Sequence, residues 1–228
     1  MSRVLALVAH PDDEILGVGG ALARHAKRRD EVFVAILAEG VTSRVLSSER
    51  ASCGEALSAL ARAARAANDI LGVQELVLGD FADNRMDERP RLDVIRFVEG
   101  LFQRFQPDIV YTHAAHDVNI DHRRVHEATV TACRPLPGCC VKRLLFFETP
   151  SSTEWRPPAS ATPFAPDWFV DISETLSQKL EALSAYACEM RPWPHARSLE
   201  AVTHLARWRG ASVGVDAAEA FVLGRMLE

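Results

Sequence analysis

The chain has 228 residues, of which 48% are hydrophobic and 25% charged, and carries a formal net charge of −5. That length buries about 70–75% of the surface the unfolded chain would expose, so a core can form without covalent staples, and the composition is far from that of a disordered segment. The negative balance gives no electrostatic reason to expect nucleic acid or an anionic membrane as a partner.

Val4–Ala9 is an unbroken apolar run and reads as a strand buried on both faces. It is too short for a signal h-region or a spanning helix and ends in a polar motif, and no other stretch reaches the roughly 18 apolar residues a membrane helix needs. A helix is expected from about Glu14 to Arg28, a strand at Val32–Ala38, and a long Ala/Arg/Leu helix from Ser48 to Asn68 with Ser47 or Ser48 as its N-cap. Then follow a strand at Glu75–Leu78, a helix at Leu92–Phe105, a strand at Asp108–Thr112, a helix at Asp121–Cys133 and a strand at Arg143–Phe147. Prolines accumulate between Thr149 and Asp167, which reads as a surface loop. A short strand at Trp168–Val170 precedes a helix at Ser173–Cys188 capped by Ser173, and the break Arg191-Pro-Trp-Pro-His195 leads to a last helix at Ala196–Gly210. Alternating strands and helices without a repeat or a long linker predict one α/β domain over residues 1–228, with a mainly parallel sheet flanked by helices. The five cysteines (Cys53, Cys133, Cys139, Cys140, Cys188) are odd in number and lack CxxC spacing. That speaks against a disulfide framework or thiolate zinc site and fits reduced thiols in a cytoplasm.

His10-Pro-Asp-Asp-Glu14 stands where the first strand gives way to a helix, the edge of an open α/β sheet at which ligands bind. Pro11 stiffens the turn, so His10 and Asp13 can be held towards one point, and an imidazole with a carboxylate suits zinc or a similar divalent ion. Two adjacent carboxylates repel unless a cation intervenes; an ion on Asp13 would leave Asp12 to take a proton from water. Glu14 could favour the positive end of the helix dipole or orient His10. The carboxylates alone would suit any acidic helix start; His-Pro directly after a buried strand is what marks a site.

Tyr111–His126 holds four of the eight histidines and begins at the end of the expected fourth strand, on the same sheet edge as His10. A third ligand can come from here, leaving an open position for water. His122 is the best candidate because it opens a helix beside Asp121, which could fix its tautomer or orient a partner. His126 lies one turn further on and ranks lower, as do His113 and His116.

Both constellations together resemble the LmbE-like (PIG-L) family of zinc-dependent de-N-acetylases, through Ala9–Glu14 after the first strand and Asp117-Val-Asn-Ile-Asp-His122 before a helix. Weaker similarity runs through Glu39–Arg44, Asp83–Asp87 and Ala217–Phe221. The resemblance implies a Rossmann-like domain, a Zn²⁺ (or other divalent) ion on His10, Asp13 and His122, and Asp12 as general base. Where the family usually carries a second histidine, three residues before the last ligand, this chain has Asn119. The oxyanion role then falls to Asn119 with the metal, or to His116 or another histidine. The implied substrate is a small N-acetylated sugar, nucleotide sugar or glycoconjugate precursor, with homo-oligomerisation open.

Arg44, Asp83, Asn84 and Arg85 fall in loops on the metal-bearing edge, where they could bind sugar hydroxyls or a phosphate, or serve only as loop salt bridges and turn residues. His195 and Arg197 could reach the rim but read more readily as structural. Phosphoester hydrolysis would need more converging carboxylates than these. Gly17-Val-Gly19-Gly20 lies inside a helix rather than in the turn before it, so close helix–sheet packing explains it better than dinucleotide binding. A metal-binding scaffold without activity is the third alternative.

Overall fold

The structure, a computed structural model, describes residues 1–44 and 53–228, and the side chain of Arg44 is outside that description. β1 (Arg3–Val8) lies in the interior of a sheet that also holds β2 (Glu31–Ala38), β3 (Glu75–Phe81), β4 (Ile109–His113), β5 (Arg143–Phe147), β6 (Trp168–Asp171) and β7 (Ala218–Met226). Their order is β3-β2-β1-β4-β5-β7-β6. β3 to β5 pair in parallel through β1, whereas β7 runs antiparallel to both β5 and β6. The expected α/β architecture with a mainly parallel sheet is therefore the one observed, and the order in which strands are added reverses between β1 and β4.

Strict alternation along β1 explains the layers. Val4, Ala6 and Val8 face one apolar cluster, whereas Leu5, Leu7 and Ala9 face another. The first cluster is covered by α1 (Asp13–Lys27), α2 (Gly54–Leu71), α5 (Leu176–Ala185) and α6 (Leu199–Ala211). The second lies beneath α3 (Arg91–Phe105) and α4 (Ile120–Ala132). Gly17 and Gly20 bring α1 close to its neighbours: a Cβ at Gly17 would stand 2.2 Å from the Phe147 ring and one at Gly20 2.8 Å from Ile172. The glycines are packing positions, as the sequence suggests.

Three expectations need correction. β7 is absent from the sequence reading, because Glu219 interrupts its apolar pattern; its buried carboxylate accepts from Gly20 N, Ala21 N and Lys179 Nζ. Ser173 does not cap α5, since its hydroxyl and amide both donate to Asp171 in a local turn, and the helix starts at Leu176. α6 starts at Leu199 rather than Ala196, capped by Ser198 Oγ, which accepts from Ala201 N at 3.0 Å. The cap expected at Ser47 or Ser48 lies outside the described residues. Among the described residues no helix is long and apolar enough to cross a membrane, and the five cysteines are free thiols.

Candidate metal centre and active site

The reversal of strand order between β1 and β4 opens a crevice at the carboxyl edge of the sheet, the usual ligand position in such folds. The turn after β1 delivers His10 to Asp13, β3 is followed by Asp83 and Asn84, and the loop after β4 leads into α4, whose first turn holds Asp121 and His122. Asn119 is the N-cap of α4, accepting from Asp121 N at 2.8 Å.

Three donor atoms converge. His10 Nδ1 lies 3.3 Å from both Asp13 Oδ2 and His122 Nε2, and the latter two are 3.2 Å apart. Edges of that length belong to a tetrahedron whose vertices lie about 2.0 Å from its centre, the bond length of zinc to nitrogen and oxygen. The remaining imidazole nitrogens face carboxylates. His10 Nε2 faces Asp121 Oδ2 at 3.1 Å and Asp83 Oδ1 at 3.2 Å, and His122 Nδ1 faces Asp117 Oδ2 at 3.1 Å. With an N–H given outward to carboxylate, each ring would have its inner nitrogen for an ion, the arrangement metal-binding imidazoles adopt. A second group, His10 with Asp83 and Asp121, also lies close enough to hold an ion. It would need the nitrogen already committed to those carboxylates, and Asp121 is occupied by the amides of Asn84 and Met86.

The charges agree with a cation site. Burial pushes the His122 imidazolium down, but Asp13 and Asp117 outweigh it and raise the pKa to about 9. Burial is likewise outweighed at His10 by bonds to Asp121, Asp13 and Asp83, which hold it well above the ordinary value. Burial also opposes ionisation of Asp117 and Asp83, yet the facing imidazoles and hydroxyls bring both down to about 2. The carboxylates around the two imidazoles therefore carry excess negative charge and favour a positive charge between them, which a divalent ion in place of the ring protons would supply.

Asp12 stands beside this group. It is 2% exposed and holds φ 106° at the N-cap of α1, a conformation that costs a non-glycine residue about 1–3 kcal/mol. Burial pushes its carboxyl up, and the guanidinium of Arg197, with Nη1 3.1 Å from Oδ2, works against that shift. Glu14 accepts from Asp12 N, Asn68 Nδ2 and Tyr186 Oη; it thus braces the Asp12 backbone and does not orient His10.

The cavity above has a volume of about 190 Å³ and is mainly polar, with Asp12, Asp83, Asn84, Asn119, Glu189 and Arg197 among its lining residues. Asn84 Oδ1 accepts from Asn119 Nδ2 at 3.0 Å. Asp83 is turned towards His10 and the Ser43 hydroxyl, so its first task is to hold the imidazole. Arg85 pairs with Glu88, and His116 is exposed on the wall of a separate apolar pocket with His126 and Phe146; neither lines the polar cavity. His113 is buried beneath His122, with ring centroids 3.9 Å apart, and its Nε2 accepts from Ala9 N. That bond uses the lone pair a metal would need, and burial keeps the ring neutral.

Asp121 and Asp117 divide the two imidazoles between them. Of the two roles expected for Asp121, the contact is with a partner ring, His10, and not with its neighbour His122. The carboxylate on His122 is Asp117, itself held by the hydroxyls of Ser152 and Thr153. The missed residues Ser151, Ser152 and Glu189 have no local signature, whereas Asp117 stands in the same motif segment as His122, the signal that points to it as a partner.

Among known proteins, the uncharacterized deacetylase YaiS of Escherichia coli (strain K12) is 29% identical over 191 residues, covering 80% of this chain and 89% of that one. The 1D-myo-inositol 2-acetamido-2-deoxy-alpha-D-glucopyranoside deacetylase 1 of Saccharopolyspora erythraea is 28% identical, covering 84% of this chain and 78% of its own. The 4-oxalmesaconate hydratase of Pseudomonas putida is also 28% identical, over 98% of this chain and 87% of its own. The crystal structure of the conserved protein TT1542 from Thermus thermophilus matches all of this chain and 97% of its own, with a TM-score of 0.74 and 26% identity. The model of the family described as PIG-L, GlcNAc-PI de-N-acetylase, matches residues 5–133, more than half of the chain and both motif segments, and the chain belongs to that family.

Proposed function

We propose that this chain is a metal-dependent hydrolase that cleaves the acetamide of an N-acetylated sugar, releasing acetate and an amino sugar. The observation that carries the reading is the mutual 3.2–3.3 Å spacing of His10 Nδ1, Asp13 Oδ2 and His122 Nε2, with Asp12 left over beside them. A divalent cation on those three residues, zinc by preference, would supply Lewis acidity, polarising the carbonyl and lowering the pKa of water. Asp12 takes the proton from the attacking water and returns it to the departing nitrogen. Asn119 gives one amide hydrogen to Asn84 and has the other for the carbonyl oxygen as charge develops there. Asn84 lines the cavity wall, with its side chain bonded to Asp83 and Asn119, and that position supports a role beside a sugar hydroxyl. The deacetylase relatives support this chemistry, and the Saccharopolyspora relative is named for an acetamido-sugar substrate.

A second reading has one observation behind it: the Pseudomonas hydratase matches nearly the whole chain. Addition of water to an unsaturated polycarboxylate would also use an activated water. The cavity walls favour the sugar, because Arg197, a cation lining them, is already paired with Asp12 and Glu189. The test is acetate release by zinc-loaded protein across N-acetylated sugars and glycosides, beside hydration of unsaturated dicarboxylic acids. Acetate release with no hydration is the expected result; hydration without acetate release would reject the proposal.

A further inference from the structure

Arg197 lies in the stretch between α5 and α6, and 185 positions separate it from the residue it meets at the site. Nη1 lies 3.1 Å from Asp12 Oδ2 and 3.5 Å from Glu189 Oε2, and Nε donates to Ser151 Oγ at 2.7 Å. Its backbone amide donates to His195 Nδ1 at 3.0 Å. The guanidinium is therefore pinned from several directions before it touches Asp12. A planar fork holds Ser151 and Asp12 on two nitrogens at a fixed spacing, whereas a lysine would offer both a single mobile ammonium.

The anchor is informative. Ser151 belongs to the turn after β5, in which Ser152 N and Thr153 N both donate to Thr149 O. The next two residues of that turn, Ser152 and Thr153, give their hydroxyls to Asp117, which holds His122. One turn thus sets both the His122 imidazole, through Asp117, and the Asp12 carboxylate, through Arg197. The α1 cap fixes the backbone of Asp12 but leaves its side-chain torsions to be settled by a partner, and Arg197 is that partner.

We propose that Arg197 is a positioning residue for the hydrolytic reaction: anchored on Ser151, it holds Asp12 Oδ2 and so aims Oδ1 at the cavity for proton exchange. This rests on the deacetylase reading. Replacement of Arg197 releases the carboxylate without touching the residues proposed to hold the metal.

The experiment compares Arg197→Ala, Arg197→Lys and Ser151→Ala with wild type for zinc content, kcat and KM on N-acetyl sugars, with and without added guanidinium. A misplaced reacting group costs on the order of 10² in rate. We expect that loss in kcat for Arg197→Ala, KM within about twofold, full zinc content, partial rescue by guanidinium, and a smaller loss for Ser151→Ala. Wild-type kcat in Arg197→Ala, or a change confined to KM, overturns the proposal. Should that variant fail to fold, Arg197→Lys and Ser151→Ala decide, and wild-type kcat in both overturns it. The crystal structure of the best-behaved variant provides a readout independent of turnover: a rotated Asp12 carboxylate is expected, and an unmoved one contradicts the inference. A wild-type protein that releases no acetate from any sugar would sink the deacetylase reading alone, and the Asp12 orientation would still judge Arg197.

Discussion

Replacing Asp117 by asparagine should weaken metal binding although Asp117 touches no metal. Oδ1 accepts from Asn119 N at 2.8 Å and from the Ser152 hydroxyl, while Oδ2 accepts from the Thr153 hydroxyl at 2.7 Å and faces His122 Nδ1 at 3.1 Å. All four groups are donors. An amide keeps one oxygen, which can serve Asn119 and Ser152, and turns its NH₂ towards Thr153 and His122. His122 then relieves the clash by moving its proton to Nε2, the nitrogen aimed at Asp13, and loses the lone pair the ion requires. Loss of such a carboxylate partner typically weakens metal affinity by about 10–100-fold, or roughly 1.4–2.7 kcal/mol. Competition with a chromogenic chelator measures the dissociation constant directly, with circular dichroism to establish folding. A folded Asp117→Asn protein whose zinc affinity stays within about threefold of wild type would refute the reasoning.

The other predictions test separate links. Asp12→Asn should keep its zinc and lose activity by roughly 10²–10⁴-fold, checked by metal analysis beside acetate release; retained turnover would remove Asp12 from the base role. Gly17→Ala places a methyl 2.2 Å from the Phe147 ring, so thermal denaturation should show a loss of about 1–3 kcal/mol, and an unchanged melting temperature would mean that α1 shifts freely. Lys179→Met leaves the buried Glu219 carboxylate without its cation, and urea unfolding should register about 3–5 kcal/mol less stability than wild type.

Much of this architecture can be read from the sequence because its strands are buried on both faces. β1, β2 and β5 fall where their apolar runs place them, and α3 and α4 differ from expectation only at their ends. β7 escapes because a buried carboxylate, satisfied by α1 amides and a lysine from α5, looks polar in a one-dimensional pattern. His10, Asp13 and His122 are legible because each follows or opens an element at one sheet edge. Their carboxylate partners are only half legible: adjacency leaves open whether Asp121 serves His122 or another ring, and because successive residues on a helix point in different directions it reaches His10, while Asp117 faces His122. Glu14, one residue beyond Asp13, similarly points into the core towards Tyr186 and Asn68. Arg197 could be read from the sequence only as a residue able to reach the rim, and its partner Asp12, 185 residues away, has no local signal.

X-ray absorption spectroscopy on the zinc-loaded protein, with His122→Ala and Asp83→Ala beside wild type, tests the central claim. Two imidazole nitrogens and one carboxylate oxygen at about 2.0–2.1 Å should surround the ion, with one imidazole lost in His122→Ala and the inner set intact in Asp83→Ala. A single imidazole in wild type, lost carboxylate ligation in Asp83→Ala and no change in His122→Ala would place the ion on the His10–Asp83–Asp121 side and contradict the account.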